Sequence, residues 1–278
     1  MTDTLPEILY HYTTVDGLLG IFKKKALWAT KIHYLNDSSE LVEPLRIANK
    51  YLETIKTKND SQSIKDPEID EIVISMLYDL EINEGSNIFV SSFCRKGDLL
   101  SQWRAYGSLD SAYSIGFQTN KFVEILGKHT FELHKCIYYD SPKYVGEREH
   151  FIEEFINTNK KDKSYRNTFI LEFFKMASTM KHNSFEEEDE YRIISINPIK
   201  YTHERINFRP GKSMLIPYYS LPLEPISIIK KITAGPSQHP DLSQAAVQGL
   251  AYKYGFYDSK TCLINIEVLS SDIPFRHV

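Results

Sequence analysis

Four short stretches of this chain concentrate the residue types that do chemistry. The densest is FEEEDEYR, Phe185 to Arg192. If it enters a strand, alternation puts Glu188, Glu190 and Arg192 on one face and Asp189 and Tyr191 on the other. Two carboxylates on one face raise each other's pKa unless a cation intervenes. Such a pair suits acid–base work or hydrogen bonding to sugar hydroxyls. The plainer reading is a solvated acidic loop with a Glu–Arg pair. The second stretch runs from Ser91 to Gly107 and carries Ser92, Ser101, Gln102, Trp103, Arg104 and Tyr106. The planar fork of Arg104 can clamp an anion, or it can simply stack over a packed Trp. The third is Tyr10-His11-Tyr12-Thr13, in which a strand would turn His11 away from both tyrosines. A lone strand His is more often a satisfied core group than a catalyst. The fourth, Asn36-Asp37-Ser38-Ser39-Glu40, has the residues of an Asx turn and a helix cap.

Several chemistries are poorly served. Nine His are scattered without knuckle or helical pairing, so a zinc site is not expected. No G-x-S-x-G elbow exists for a serine hydrolase, and no Gly-rich phosphate loop of the Walker or dinucleotide type. A net charge of −4 gives no global basic field for nucleic acid. Cys94, Cys136 and Cys262 are odd in number and widely spaced, which suits core thiols of a reducing compartment. The first residues lack a signal pattern, and no stretch approaches the roughly 20 apolar residues of a membrane span. A cytoplasmic, soluble chain without membrane contact is expected.

The elements that must position these residues follow from periodicity. Ile8–Thr13 and Leu27–Thr30 have the pattern of strands. Thr13 or Thr14 caps a helix between them, with Val15, Leu18, Leu19 and Phe22 at helical spacing. Leu41–Ile55 and the stretch opening at Asp66-Pro67 are expected helices, with a loop at Lys58–Asp66. Strands are expected at Ile88–Phe93, Ala112–Phe117, Phe131–Tyr139, Asp189–Ile196, Ile199–Phe208, Ile226–Ala234 and Leu263–Val268. Asp98–Tyr106 is a short helix or tight loop. Val145–Met180 is mostly helical, Lys181–Glu187 a polar loop, and Leu242–Tyr254 a helix stopped by Gly255. Helices early and in the middle, with strands crowding the second half, give an α+β class. The length of 278 residues fits one domain spanning 1–278, with a helical insertion over 145–181. The aromatic face of that insertion can pack on the core, cover a cleft, or join two copies into a homo-oligomer.

Taken in order, YHYTTVDGLLGIFKKKALWATKIHYLNDSSE, FVSSFCRKGDLLSQWRAYG, FEEEDEYRI and IPYYSLPLEPISIIKKITAGPS resemble the bacterial family of proteins of unknown function numbered 2971. More distantly, the YHYT strand, GLLGI helix and ALWAT strand resemble the start of ADP-ribosyltransferase folds, especially DarT-type toxins and RNA 2′-phosphotransferases. That resemblance implies split mixed and antiparallel sheets with flanking helices. It implies NAD as cofactor, and a toxin or phage-defence role. It implies His11 and Thr13 on the first strand, Ser92 on the second, and Glu190 with Glu188 as the late E-x-E carboxylates. Arg104 and Asn36 are the candidates for phosphate and nicotinamide-side contacts, and Tyr12, Tyr34 and Tyr106 compete to stack on the nicotinamide.

Three readings follow. The first is an enzyme that cleaves NAD at the nicotinamide–ribose bond and passes ADP-ribose to an unidentified nucleic acid or protein acceptor. It expects His11, Ser92, Arg104 and Glu190 in one cleft. The second is an inactive nucleotide-binding or sensor module, with Glu190 tied to Arg192. The third is a phosphotransferase or hydrolase on nucleic-acid ends, which needs several cations around His11.

Overall fold

A computed structural model describes residues 4–35, 87–106, 112–139, 175–211, 213–261 and 263–274. The helices expected at 41–55 and from 67, the loop at 58–66, Asn36, Cys262 and most of the insertion at 145–181 lie outside these residues.

The chain opens with β1 (Ile8–Thr14), α1 (Val15–Lys24) and β2 (Ala26–Lys31). Of the two candidate caps, Thr14 is the one used: its side-chain oxygen accepts from the Gly17 N–H at 3.3 Å. β3 (Phe89–Cys94) follows, then α2 (Leu100–Tyr106), β4 (Ala112–Gln118) and α3 (Thr119–Lys128). The sequence reading contained no helix at α3. Its buried Phe122, Ile125 and Leu126 keep helical spacing. After β5 (Phe131–Lys135) and β6 (Ile137–Tyr139) come β7 (Met180–His182) and β8 (Glu190–Ser195). The polar loop expected at 181–187 is therefore a strand end followed by a 3-10 turn over Asn183–Glu188. β9 (Ile206–Pro210) starts later than expected, and β10 (Leu215–Pro222) is a strand the sequence reading did not contain. β11 (Ile229–Ala234), α4 (Pro240–Lys253) and β12 (Glu267–Ser270) complete the described elements. β12 lies beyond most of the 263–268 stretch expected for it.

Helices and a mixed sheet make this an α+β fold. Ten strands form one sheet in the order β12-β11-β4-β1-β3-β2-β10-β9, with β8 and β5 branching from β3. The branch is the organising feature. β8 pairs with β3 along Val90–Cys94. On the other edge of β3, Cys94 pairs with Tyr10 of β1, whereas Val90 and Phe89 pair with Thr30 and Lys31 of β2. β1 and β2 thus compete for one edge and splay apart around Ser91–Phe93. The sheet forks there, one arm being β1-β4-β11-β12 and the other β2-β10-β9.

The core fills the inside of this fork. Phe22 and Leu18 of α1, Phe122 of α3 and Val247 of α4 meet Phe93, Phe117, Phe131 and Tyr219 from the strands. Phe117 and Phe122 stack with ring centroids 5.4 Å apart. Aromatic rings bury large apolar areas, so this cluster supplies much of the driving force for closing the two arms over one interior.

Candidate functional site

Antiparallel partners share a face, so the register at the fork decides which side chains meet. Tyr10 pairs with Cys94, Cys94 with Glu190, and Ser92 with Arg192. All five therefore point to one side, away from the main core, together with Tyr12 two residues along β1. α2 closes this side with Gln102, Ala105 and Tyr106, and the 3-10 turn before β8 adds Phe185 and Glu188. The result is a cleft of about 180 Å³ whose walls are aromatic and whose floor is charged.

The floor is a four-residue ion network. Glu190 is 1% exposed. Its Oε1 accepts from Arg192 Nε at 2.7 Å, and its Oε2 accepts from Lys181 Nζ. Lys181 also donates to Glu188 Oε2 at 2.7 Å and lies over the Phe185 ring at 4.8 Å. Arg192 donates a further bond to the Ser178 carbonyl at 2.8 Å. Burial alone would raise the Glu190 pKa, but Arg192 and Lys181 outweigh it and hold the carboxyl at about 2. Glu190 is therefore a fixed anion at neutral pH, unsuited to act as a general acid. Burial alone would lower the Lys181 pKa, and its two glutamates instead raise it.

Local structure explains why the network forms. β7 pairs in parallel with β6, setting Lys181 beside Tyr138. The Tyr138 hydroxyl accepts from the Glu190 N–H at 2.7 Å, and the Glu190 carbonyl accepts from Cys136 N at 2.9 Å. Asp189 takes a left-handed conformation, φ 39°, reversing the chain between the turn and β8. Its carboxylate reaches Arg95 at 3.5 Å and Lys135 at 3.4 Å, so it clamps the ends of β3 and β5 over the start of β8.

The sequence candidates divide into those that line the cleft and those that stand outside it, with Asn36 beyond the described residues. Glu190, Glu188, Ser92 and Tyr106 line the cleft, and Tyr12 does too. The Tyr12 hydroxyl is already committed: it donates to the Lys96 carbonyl and accepts from Leu99 N, both at 3.0 Å, while its ring meets Trp103 edge-on. Of the three tyrosines competing for a stacking role, Tyr106 is half-buried on the cleft wall, and Tyr34 is not on that wall. Tyr10, not among them, is. Lys181 was also missed. Its only signal in the sequence is a cation next to an apolar run, seven and nine residues ahead of two glutamates.

His11, Thr13 and Arg104 stand outside the cleft wall. Arg104 is exposed on α2. Thr13 is buried on the face of β1 opposite Tyr12. His11 shares that face, so the strand turns it away from Glu190. Its ring fills the fork instead. Nδ1 lies 3.0 Å from the Ser92 carbonyl, and the ring packs against Phe93 with centroids 5.5 Å apart. A carbonyl only accepts, so Nδ1 carries the proton. Burial depresses the His11 pKa and keeps the ring neutral, against a smaller opposing effect of the Ser92 bond. His11 thus replaces a lost ladder hydrogen bond where β1 leaves β3. Among the described residues no cluster of three or more His, Cys, Asp or Glu could hold a metal. Cys94 and Cys136 are buried and form no disulfide among the described residues.

The comparisons with known proteins bear on the same region. Residues 102–193 match the family model described as protein of unknown function (DUF2971), a span that begins on α2 and ends on β8. This segment belongs to that family. The match takes in Gln102, Tyr106, Lys181, Glu188, Glu190 and Arg192, most of one wall and all of the floor. No curated protein and no solved structure matches the chain. No described helix is long and apolar enough to cross a membrane.

Proposed function

We propose that the cleft is the nucleotide site of an ADP-ribosyltransferase-like enzyme that binds NAD and cleaves its nicotinamide–ribose bond. The observation that carries this reading is Glu190, a carboxylate held ionised on the floor of an aromatic-walled cleft. Cleaving a glycosidic-type C–N bond develops positive charge on the ribosyl carbon. A preorganised anion that needs no reorganisation stabilises that charge. The bonding electron pair leaves with nicotinamide. An acceptor lone pair then forms the new bond as the acceptor gives up its proton. Among the described residues only Oε2 of Glu188 joins the network, which leaves Oε1 to meet a ribose hydroxyl or that proton. Tyr10 and Tyr106 offer ring faces for stacking. A volume of about 180 Å³ lies below the ~300–1,000 Å³ of whole-ligand pockets, so the cleft takes one end of a dinucleotide. The forked sheet supports the resemblance to ADP-ribosyltransferase folds. A toxin or phage-defence role rests on that resemblance alone.

A second reading, a binding or sensor module that holds NAD intact, is favoured by a specific observation. Glu190 is tied to Arg192, as this reading expects, with its other oxygen on Lys181, whereas the first reading's expectation that His11 and Arg104 share the cleft with Ser92 and Glu190 is not met. The third reading is weaker, because only Lys181 and Arg192 bring cations to the described walls and both face glutamates.

Incubation with NAD and chromatographic detection of nicotinamide separates these. Release lost in Glu188→Gln and Glu190→Gln supports the enzyme. A rise in melting temperature with NAD and no release supports the module, since a ligand that binds only the native state stabilises it. Neither release nor a thermal shift removes NAD from this cleft.

A further inference from the structure

The arm β2-β10-β9 has an outer face that the cleft does not use. Thr30 pairs with Tyr218 and Trp28 with Ser220, while Tyr218 pairs with Asn207 and Ile216 with Arg209. These side chains therefore share one face, and Leu27, Ala29, Tyr219 and Leu221 take the core face. Trp28 and Tyr218 lie 4.7 Å apart at 35°, both half-exposed. Beside them Arg209 is half-buried. Its only described hydrogen bond is a long one, 3.4 Å to Thr30 Oγ1, and its buried Nε has no partner. No described carboxylate pairs with it. Among the described residues this guanidinium, next to an aromatic pair, has no anion of its own. The surrounding chain is locally basic: Lys200–Met214 holds Lys200, Arg205, Arg209 and Lys212 against Glu204, in a protein of net charge −4.

We propose that this face binds single-stranded nucleic acid, with bases stacking on the Trp28–Tyr218 pair and a backbone phosphate taken by Arg209. Every base has a π-face, so an aromatic pair binds a strand without reading its sequence. The Arg fork fits phosphate oxygens two at a time. Asn207, Thr30 and Ser220 surround the pair with small polar groups. The site is distinct from the cleft, and the proposal stands without NAD chemistry.

The test uses a fluorescein-labelled 15-mer of deoxythymidine, read by anisotropy at low salt with no NAD present. Binding is expected, weakening as salt rises, with about tenfold loss in Arg209→Gln and in Tyr218→Leu. Arg209→Lys is expected to fall between wild type and Arg209→Gln. The chain has two Trp, Trp28 and the buried Trp103, so a Trp28→Phe variant assigns any quenching and retains an internal fold reporter. No binding at low salt overturns the proposal. So does binding unchanged by the Arg209 and Tyr218 variants, equal binding of a 15-base-pair duplex, or competition by thymidine monophosphate at the same concentration as the oligonucleotide. None of these outcomes depends on nicotinamide release, so this proposal and the cleft reading fail separately.

Discussion

Glu190 is the residue on which the candidate site turns, and its environment makes two predictions. The first concerns acid. The carboxyl ionises at about 2 in the folded chain, against 4.5 ordinarily. The ion pairs therefore stabilise the fold fully above about pH 4.5, and their contribution is lost as pH falls toward about 2. Urea unfolding of wild type and Glu190→Gln across this range checks it: the stability gap should be constant above about pH 5 and shrink below. A gap that does not change with pH refutes the ionised state. The second concerns the partners. Arg192 is 2% exposed and Lys181 7%, so removing either leaves a buried glutamate under-compensated. Arg192→Met and Lys181→Met should each cost about 3–5 kcal/mol, measured by the same unfolding. Costs under about 1 kcal/mol mean that water replaces the lost cation and the floor is wetter than its burial indicates.

At the scale of elements, the fork is made by strands whose existence was legible in the sequence and whose pairing was not. Ile8–Thr14 and Phe89–Cys94 announce themselves by short apolar and aromatic runs, and Glu190 with Arg192 by period-two alternation. Nothing local tells that β1 and β2 share one edge of β3, because pairing between residues some 80 positions apart is set by the whole core. β10 escaped because its two prolines and three polar or aromatic alternations hide an edge-side strand. α3 escaped because its stripe is short. His11 shows the consequence at one residue: alternation correctly turned it from both tyrosines, yet its task is set by the distant Ser92 carbonyl. If that task is to seal the fork, His11→Phe should cost about 1 kcal/mol, the net worth of one hydrogen bond, and leave any NAD-induced thermal shift intact. A lost shift with unchanged stability instead makes His11 a ligand contact. The turn after β3 makes a second prediction. A Cβ on Gly97 would overlap the Tyr10 ring, and one on Gly116 would come within 3.0 Å of it. Tyr10 is thus laid flat along glycine backbone at the cleft wall. Gly97→Ala should displace the ring, costing about 1–3 kcal/mol by overpacking. Its near-ultraviolet circular dichroism should change while the far-ultraviolet signal stays. An unchanged aromatic spectrum shows that the turn, not the ring, yields.

Across the whole molecule, the cleft wall carried by α2 is held from outside the cleft by a segment far along the chain, and Asp98 makes the tie. Its Oδ1 accepts from Trp103 Nε1 and from Ser271 Oγ, both at 2.6 Å, and its Oδ2 accepts from the Asp272 N–H at 3.1 Å. Ser271 N also bonds the Ala234 carbonyl at 2.7 Å, and Ile273 packs on the cluster of Tyr10, Tyr12 and Trp103. The segment after β12 therefore braces α2 from behind, and α2 carries Gln102 and Tyr106 into the cleft. The family match stops at residue 193, so this brace lies beyond the matched span. Removing it should loosen the wall without dissolving the core, which sits on the other side of the sheet. Asp98→Ala deletes three bonds, and leaves a buried indole N–H unpaired at about 1–3 kcal/mol. The expected signature is local: faster hydrogen exchange over residues 99–106 and 270–274, with exchange in β4 and α3 unchanged. Uniformly faster exchange would make Asp98 part of the global fold instead, and the cleft wall would then be as rigid as the core that supports it.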